Sequence, residues 1–235
     1  MMATFVVAHG AWSAGWAWKK MRPLLRAEGH ELWTPTYTGL GERAHLANAE
    51  VSLDTHIGDV VAAIEMENLN DAILIGHSYG GMVATGVADR ARARISQLVY
   101  LDAFAPIEGQ SVFDLIPPDV AEKMRAGAAQ SPSGYGIPPN PMPSDTAAED
   151  VEWATPRRLP QPLKAFSTRL HLNHEISLPR SYIYCTKTGI GDTFGQFAKR
   201  AQREGWRYFE IDASHNPHIT NPTALLDILK QIADT

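Results

Sequence analysis

The feature that most constrains the fold is an alternation of short apolar runs with longer amphipathic stretches along the chain. Residues 72–76 (Ala-Ile-Leu-Ile-Gly) form the clearest apolar run, and residues 81–90 follow it with helical spacing. Such a short run is typical of a strand buried on both faces. Repeated strand–helix units predict an α/β fold, in which helices flank a mostly parallel central sheet.

The rest of the chain shows the same alternation. Further strands are predicted at 4–8, 30–34, 97–102, 181–186 and 206–211, and further helices at 16–28, 53–69 and 222–233. Residues 105–178 are rich in proline and poor in β-branched residues, which favours an insertion of short helices and loops over a second sheet domain. We therefore predict a core in two parts, 1–104 and 179–235, with a cap inserted between them.

The composition excludes several classes of protein. With 235 residues, 44% of them hydrophobic, the chain suits one large domain or two small ones around a sizeable core. A net charge of −5 argues against nucleic-acid and acidic-membrane partners, and the single cysteine, Cys185, excludes a disulfide framework and a cysteine-based zinc site. The N-terminal segment lacks a basic region and a long apolar run, so we expect a soluble cytoplasmic protein without a membrane partner.

Residues 76–80 (G-H-S-Y-G) carry the pattern of a nucleophile elbow, a sharp turn between a strand and a helix. The turn holds Ser78 in strained backbone geometry, and the flanking glycines allow strand and helix to approach closely. The Ser78 hydroxyl then lies beside the helix N-terminus, whose partial positive charge favours a developing anion. An ordinary glycine-rich turn is the alternative, but the buried strand before it favours a nucleophilic serine.

A serine hydroxyl is a poor nucleophile at neutral pH and requires a general base oriented by an acid. His215 follows the strand predicted at 206–211 and precedes the last helix, so it is the predicted base. His218 is its rival, and we expect it to line the pocket instead. The two histidines have no further ligand nearby in the sequence, so we expect no metal ion.

Two residues compete for the role of the acid. Asp102 ends the strand predicted at 97–102, and Asp192 lies in a loop several residues beyond the strand at 181–186. We favour Asp102, because a strand end holds a carboxylate more rigidly than a loop. Asp192 is interpreted as a cap of the following helix. The amides of Tyr79 and Ala11 are the predicted oxyanion hole, each contributing roughly 2.7–4 kcal/mol to barrier lowering.

Four motifs together resemble the α/β-hydrolase superfamily: H-G-A-W at 9–12, P-T-Y-T-G-L-G-E-R at 35–43, G-H-S-Y-G-G at 76–81 and Y-L-D-A-F at 100–104. The sequence is most similar to the branch of small esterases that includes plant methyl esterases and hydroxynitrile lyases, and in particular to its bacterial members. The resemblance spans nearly the whole chain and is weakest over 105–178, where that fold carries a variable cap.

The chain departs from this branch in two ways. Plant members place the triad acid soon after the strand equivalent to 181–186, where this chain has none at once; Asp102 instead resembles the strand-end acid of some haloalkane dehalogenases. Those enzymes carry an aspartate where Ser78 stands, so dehalogenation is not implied. Hydroxynitrile lyases of the branch use a threonine near the oxyanion loop and a lysine after the catalytic histidine. This chain has His-Gly-Ala at 9–11 and Asn216 at the corresponding positions, which weakens the lyase interpretation.

The sequence thus predicts a serine hydrolase that cleaves small or aromatic carboxylic esters through an acyl-enzyme. Phe104, Phe113, Leu115 and Trp153 are expected to supply an apolar pocket that favours uncharged esters. The alternatives are a receptor-like hydrolase with slow turnover and a hydroxynitrile lyase. No cofactor is expected, because the G-x-G-x-x-A match at 39–44 follows the second strand and lacks both the apolar helix and the later strand-end acid of a dinucleotide site. A homodimer is a possible assembly that the sequence leaves open.

Overall fold

The computed structural model describes residues 2–188 and 191–234. Its strands are β1 (Thr4–Ala8), β2 (Glu31–Trp33), β3 (Ala72–His77), β4 (Ile95–Leu101), β5 (Gly136–Ile137), β6 (Gln161–Pro162), β7 (Arg180–Cys185) and β8 (Arg207–Ile211). Its α-helices are α1 (Met21–Ala27), α2 (Leu53–Met66), α3 (Gly80–Arg90), α4 (Val112–Leu115), α5 (Pro118–Gln130), α6 (Ala148–Ala154), α7 (Leu163–Ser167), α8 (Gly195–Arg203), α9 (Pro217–Thr220) and α10 (Pro222–Ala233). None of these helices is both long and apolar enough to cross a membrane.

Six strands form one sheet in the order β2-β1-β3-β4-β7-β8, and every neighbouring pair is parallel. Alternate side chains of the strands enter two apolar cores: Leu74 lies in the core on one face, and Ile73 and Ile75 lie in the core on the other. The predicted α/β fold is confirmed. Because β3 is central, the turn that follows it opens at the middle of the carboxyl edge of the sheet, where open α/β sheets bind ligands.

The helix predicted at 16–28 is interrupted, and this part of the prediction was wrong. A short 3₁₀ helix (Gly15–Trp18) comes first, and α1 begins only at Met21. Pro23 accounts for the break, since its ring opposes the carbonyl group four residues earlier and it lacks an amide hydrogen. Gly29, with φ of +78°, ends the helical region in left-handed geometry, as expected for a residue after a helix C-terminus.

Residues 105–178 contain the short helices α4 to α7, as predicted, but they also contain an antiparallel pair formed by β5 and β6. This pair corrects the expectation of helices and loops alone. Each of its strands has only two residues, too few for a pattern of alternation to be visible in the sequence. The division of the chain into a two-part core and a cap stays a prediction, as do the cytoplasmic location and the homodimer.

Candidate active site

Ser78 occupies the turn between β3 and α3. Its φ of +56° lies in the left-handed region, which a serine adopts only when the surrounding structure requires it. The Ser78 amide donates to the Leu101 carbonyl group (3.3 Å), and its own carbonyl oxygen accepts from the Phe104 amide (3.2 Å). These bonds to the end of β4 hold the turn against the neighbouring strand.

The approach of strand and helix at this turn requires glycine. A Cβ atom added at Gly80 would lie 1.9 Å from the Ala8 carbonyl oxygen, and one at Gly81 would lie 1.9 Å from the Phe104 carbonyl oxygen. Both distances are far inside van der Waals contact with backbone atoms. Helix α3 is therefore packed directly against the end of β1 and the segment that follows β4, and it begins two residues after Ser78.

His215 lies on the segment between β8 and α9, and its imidazole contacts both predicted partners. The Ser78 hydroxyl lies 2.9 Å from His215 Nε2, and His215 Nδ1 lies 2.7 Å from Asp102 Oδ2. A carboxylate only accepts hydrogen bonds, so Nδ1 donates to Asp102 and Nε2 is free to accept from Ser78. The structure thus brings together the three side chains that the sequence singled out.

Asp102 comes directly after β4, with φ of +42°. Its side chain is buried, and the second carboxylate oxygen, Oδ1, accepts from the Cys185 amide at 3.4 Å. Its backbone amide donates to the Ile183 carbonyl group (2.8 Å), which ties the residue to β7. A buried carboxylate held by both its backbone and its side chain can fix the orientation of an imidazole.

The two rival residues lie elsewhere in the site. Asp192 Oδ1 accepts from the Gly195 amide (2.7 Å) at the start of α8, and Oδ2 accepts from the Tyr184 hydroxyl group (2.8 Å). His218 is buried, and its ring stacks on Trp18 at a centroid distance of 4.6 Å. Burial lowers the pKa of His218 to about 3, so its imidazole is neutral.

Two residues that the sequence analysis did not single out position His215. Phe194 stacks on the His215 ring with an interplanar angle of 4° and a centroid distance of 4.9 Å. His77 Nε2 lies 2.7 Å from the His215 carbonyl oxygen. Because a carbonyl oxygen only accepts hydrogen bonds, Nε2 is protonated and donates a hydrogen bond to it. Burial keeps the pKa of His77 well below its usual value. His77 fills the variable position of the elbow motif, so only its place in that motif could have pointed to it.

The predicted oxyanion donors, Ala11 and Tyr79, line the same cavity as Ser78. Tyr79 precedes the first residue of α3, so its amide belongs to the positive end of that helix. Ala11 lies in the loop after β1, and neither amide donates a hydrogen bond to any of the described residues. The next amide of that loop, that of Trp12, does have a partner: it donates to Gln161 Oε1 (3.2 Å). These two amides are therefore available to a ligand, whereas the Trp12 amide is not.

A cavity of about 970 Å³ opens above these groups. Its apolar lining includes Phe104, as expected from the sequence, but Phe113, Leu115 and Trp153 do not line it, so that part of the prediction was wrong. Other apolar and aromatic residues take their place: Trp12, Val112, Ile116, Val120, Met124, Met142, Phe166, Phe194 and Ile219. Within the described ranges, no group of three or more histidine, cysteine or acidic side chains is arranged so that it could hold a metal ion.

A sequence model described as the alpha/beta hydrolase family matches residues 5–228. The chain belongs to this family. A carbendazim hydrolyzing esterase of Nocardioides sp. is 39% identical over 239 residues, covering 97% of this chain and 98% of the relative. Methylesterase 2 of Arabidopsis thaliana is 26% identical, covering 98% of this chain and 95% of its own length.

The hydrolase fold is also shared with solved structures. An extracellular alpha/beta-hydrolase from a Paenibacillus species superposes with a TM-score of 0.82 and 27% identity, covering 97% of this chain and 98% of its own. That protein is described as sharing structural and functional homology with tobacco salicylic acid binding protein 2. Tomato methylketone synthase I superposes with a TM-score of 0.80 but is 19% identical, so this similarity shows the fold alone.

Proposed function

We propose that this protein is a serine hydrolase that cleaves carboxylic esters through an acyl-enzyme. The observation that carries the proposal is the continuous hydrogen-bonded chain from the Ser78 hydroxyl through His215 to the buried carboxylate of Asp102. Nucleophile, base and orienting acid in this order are the arrangement that activates a serine. The esterases among the relatives support the same reaction class.

In the first half-reaction, Ser78 Oγ attacks the ester carbonyl carbon while His215 Nε2 takes the hydroxyl proton. The carbonyl oxygen becomes an anion, and the amides of Ala11 and Tyr79 stabilise it. His215, now doubly protonated, is stabilised by Asp102. It then donates the Nε2 proton to the alcohol oxygen, the bond between carbon and that oxygen breaks, and the acyl group remains on Ser78.

In the second half-reaction, a water molecule replaces the alcohol. His215 Nε2 takes a proton from this water, and the resulting oxygen attacks the acyl carbon. The same two amides stabilise the second oxyanion. The bond between the acyl carbon and Ser78 Oγ then breaks, His215 Nε2 returns its proton to Oγ, and the acid product leaves, so the enzyme regains its starting state.

The lining of the cavity supports esters with an aromatic or other apolar group. Phe166 lies between the Trp12 ring (centroid distance 6.1 Å) and the Tyr79 ring (5.2 Å), which makes an aromatic wall next to the oxyanion loop. Aromatic rings bury a large apolar surface and prefer tilted or offset contacts such as these. A volume of about 970 Å³ accommodates a substrate of drug-like size.

The decisive experiment compares Ser78→Ala with the wild type on p-nitrophenyl esters of increasing acyl length. We expect kcat/KM to fall by roughly 10⁴-fold or more, since the nucleophile is lost while the fold remains. Ser167→Ala, at an exposed serine outside the cavity, is the matched control and should retain wild-type turnover. Wild-type activity in Ser78→Ala would refute the proposal.

The same proteins distinguish the two alternatives. Ligand-induced thermal stabilisation with negligible turnover of every ester would indicate a receptor rather than an enzyme. Release of cyanide from mandelonitrile would indicate a lyase. The structure gives little support to the lyase, since Asn216 follows His215 and the cavity lysine, Lys187, is paired with Asp212 (3.1 Å).

A further inference from the structure

The charged side chains that line the cavity differ in the partners that the protein provides for them. Lys187 pairs with Asp212, and Asp145 accepts a hydrogen bond from the Ser214 amide (3.1 Å). Asp102 and Asp192 have the partners described above. Arg158 differs from Lys187, the other cation of the lining, because no carboxylate among the described residues lies within ion-pair distance of its guanidinium group.

Arg158 lies in the 105–178 segment, immediately after a single 3₁₀ turn (Thr155–Arg157). Its Nη1 donates to the Asn140 carbonyl group, and its Cζ lies 5.7 Å from the centroid of the Trp12 ring. Burial lowers the pKa of Arg158, although a guanidinium remains charged at any pH of interest. The side chain is thus a partly desolvated cation on the wall of the cavity.

Arg158 lies near the oxyanion loop, because its guanidinium group is close to the Trp12 ring. Trp12 directly follows Ala11, whose amide is one of the proposed oxyanion donors, and Trp12 is fixed by the hydrogen bond from its Nε1 to the Ile137 carbonyl group (2.9 Å). Arg158 therefore approaches the oxyanion loop from the side of the 105–178 segment. Ser78, Trp12 and Arg158 all line the same cavity, so a single substrate can contact all three.

A half-buried guanidinium loses hydration, and a charged ligand restores the lost interaction energy better than an apolar one does. The group has five N–H donors in a planar fork that matches the two oxygens of a carboxylate. The Asn140 carbonyl oxygen takes one of these donors, and the others have no protein partner in the described part of the chain. The site thus has both the charge and the free donors to bind an anion.

We propose that Arg158 binds a carboxylate at the end of the substrate remote from the ester, so that the enzyme prefers monoesters of dicarboxylic acids to neutral esters of the same shape. This inference rests on the proposed esterase function and changes the expectation, drawn from the sequence, that uncharged esters are favoured. The aromatic wall and Arg158 act together: the wall binds the body of the substrate and the guanidinium binds its acid group.

The test compares the monomethyl and dimethyl esters of glutaric, adipic and terephthalic acids; each monoester carries one negative charge that its diester lacks. In Arg158→Gln we expect kcat/KM for the preferred monoester to fall by about 10- to 100-fold, as for the loss of a charge-assisted hydrogen bond, while the diester changes little. Arg158→Lys should recover part of the loss. The control is Arg157→Gln, because Arg157 is exposed and does not line the cavity.

An unchanged ratio of monoester to diester activity in Arg158→Gln would overturn the inference. Binding measurements on Ser78→Ala separate it from the proposed function, since they do not depend on turnover. Calorimetric binding of the monoester that is lost in Ser78→Ala/Arg158→Gln supports the anion site even if the wild type hydrolyses no ester. Equal binding to both proteins refutes the anion site even if the wild type is an active esterase. If the wild type hydrolyses neither ester and Ser78→Ala binds neither, both proposals fail.

Discussion

The ionised carboxylate of Asp102 determines which nitrogen of His215 carries the proton. In Asp102→Asn, the side-chain amide group can donate to Nδ1, which moves the imidazole proton to Nε2 and leaves no acceptor for the Ser78 hydroxyl. We expect kcat to fall by about 10⁴-fold, as in other triads with this change. The measurement is steady-state hydrolysis of a p-nitrophenyl ester, with a thermal denaturation curve to establish that the variant is folded.

Asp192→Asn is the matched control for this prediction. Asp192 lines the same cavity and contacts Gly195 and Tyr184 rather than His215, and an asparagine oxygen can still accept from the Gly195 amide. We expect its turnover to change only several-fold. A large loss in Asp192→Asn together with a small one in Asp102→Asn would transfer the role of the acid to the loop before α8.

At the scale of elements, the site depends on the close approach of β1, β3 and α3. Gly80→Ala places a methyl group 1.9 Å from the Ala8 carbonyl oxygen, and backbone atoms cannot move aside as a flexible side chain can. We expect the free energy of unfolding to fall by about 1–3 kcal/mol, as for an overpacked core, with a further loss of activity because β1 leads into the oxyanion loop. Urea denaturation and ester turnover test both effects.

Gly58→Ala provides the control in another helix. Gly58 lies in the interior of α2, where an added Cβ atom meets nothing within 4 Å. Alanine should therefore stabilise the protein by about 0.5–1 kcal/mol through its higher helix propensity. If Gly80→Ala were as stable as Gly58→Ala, the tight packing at the elbow would not be real.

The strands of the sheet made the meeting of the three candidate catalytic residues predictable from the sequence, whereas the cavity lining could not be predicted. Ser78, Asp102 and His215 each follow a strand, two of which are plain apolar runs, and the carboxyl ends of parallel strands share one edge of a sheet; their meeting was therefore predictable. The cavity lining was not, because residues 105–178 have no long periodic pattern. There Phe113 packs against Phe166 (6.0 Å between ring centroids), and its neighbours Val112 and Ile116 line the cavity instead.

Arg158 and Gln161 show that contacts between residues far apart in the chain could not be predicted from the sequence. Both contact Trp12, which lies almost 150 residues earlier in the chain: the separation between Trp12 and Gln161 is 149. Local composition carries no signal for such a pairing. A charged residue in a proline-rich segment is usually solvated, so only the fold distinguishes Arg158 from its exposed neighbour Arg157.

For the whole molecule, four buried histidines make stability depend on pH. Burial lowers the pKa of His9 to about 4 and the pKa of His56 and His218 to about 3, and it keeps the pKa of His77 well below its usual value. All four are nearly inaccessible to solvent, so the folded protein holds them neutral. In the unfolded chain their pKa values return to about 6.5.

The sign of the effect follows from these values. Below pH 6.5 the unfolded chain binds protons that the folded protein excludes, so protonation favours unfolding; the stability is fully present above pH 6.5 and is lost as the pH falls toward about 4. His9, His56 and His218 each contribute a loss of roughly 2 kcal/mol between pH 7 and pH 5, and His77 acts in the same direction. The carboxylates with a lowered pKa, such as Asp89, act only below about pH 4 and leave this window to the histidines.

We therefore expect urea unfolding to move to markedly lower denaturant concentration at pH 5 than at pH 7, with several protons taken up on unfolding. His218→Phe keeps an aromatic ring against Trp18 but removes one titrating group, so its stability should depend less steeply on pH, by about one proton. Potentiometric proton uptake during unfolding at pH 5.5 measures the number directly. An uptake near zero, or an identical pH dependence of stability in His218→Phe, would mean that these imidazoles are hydrated in the folded protein. Such a result would contradict the closed packing around the elbow and the oxyanion loop.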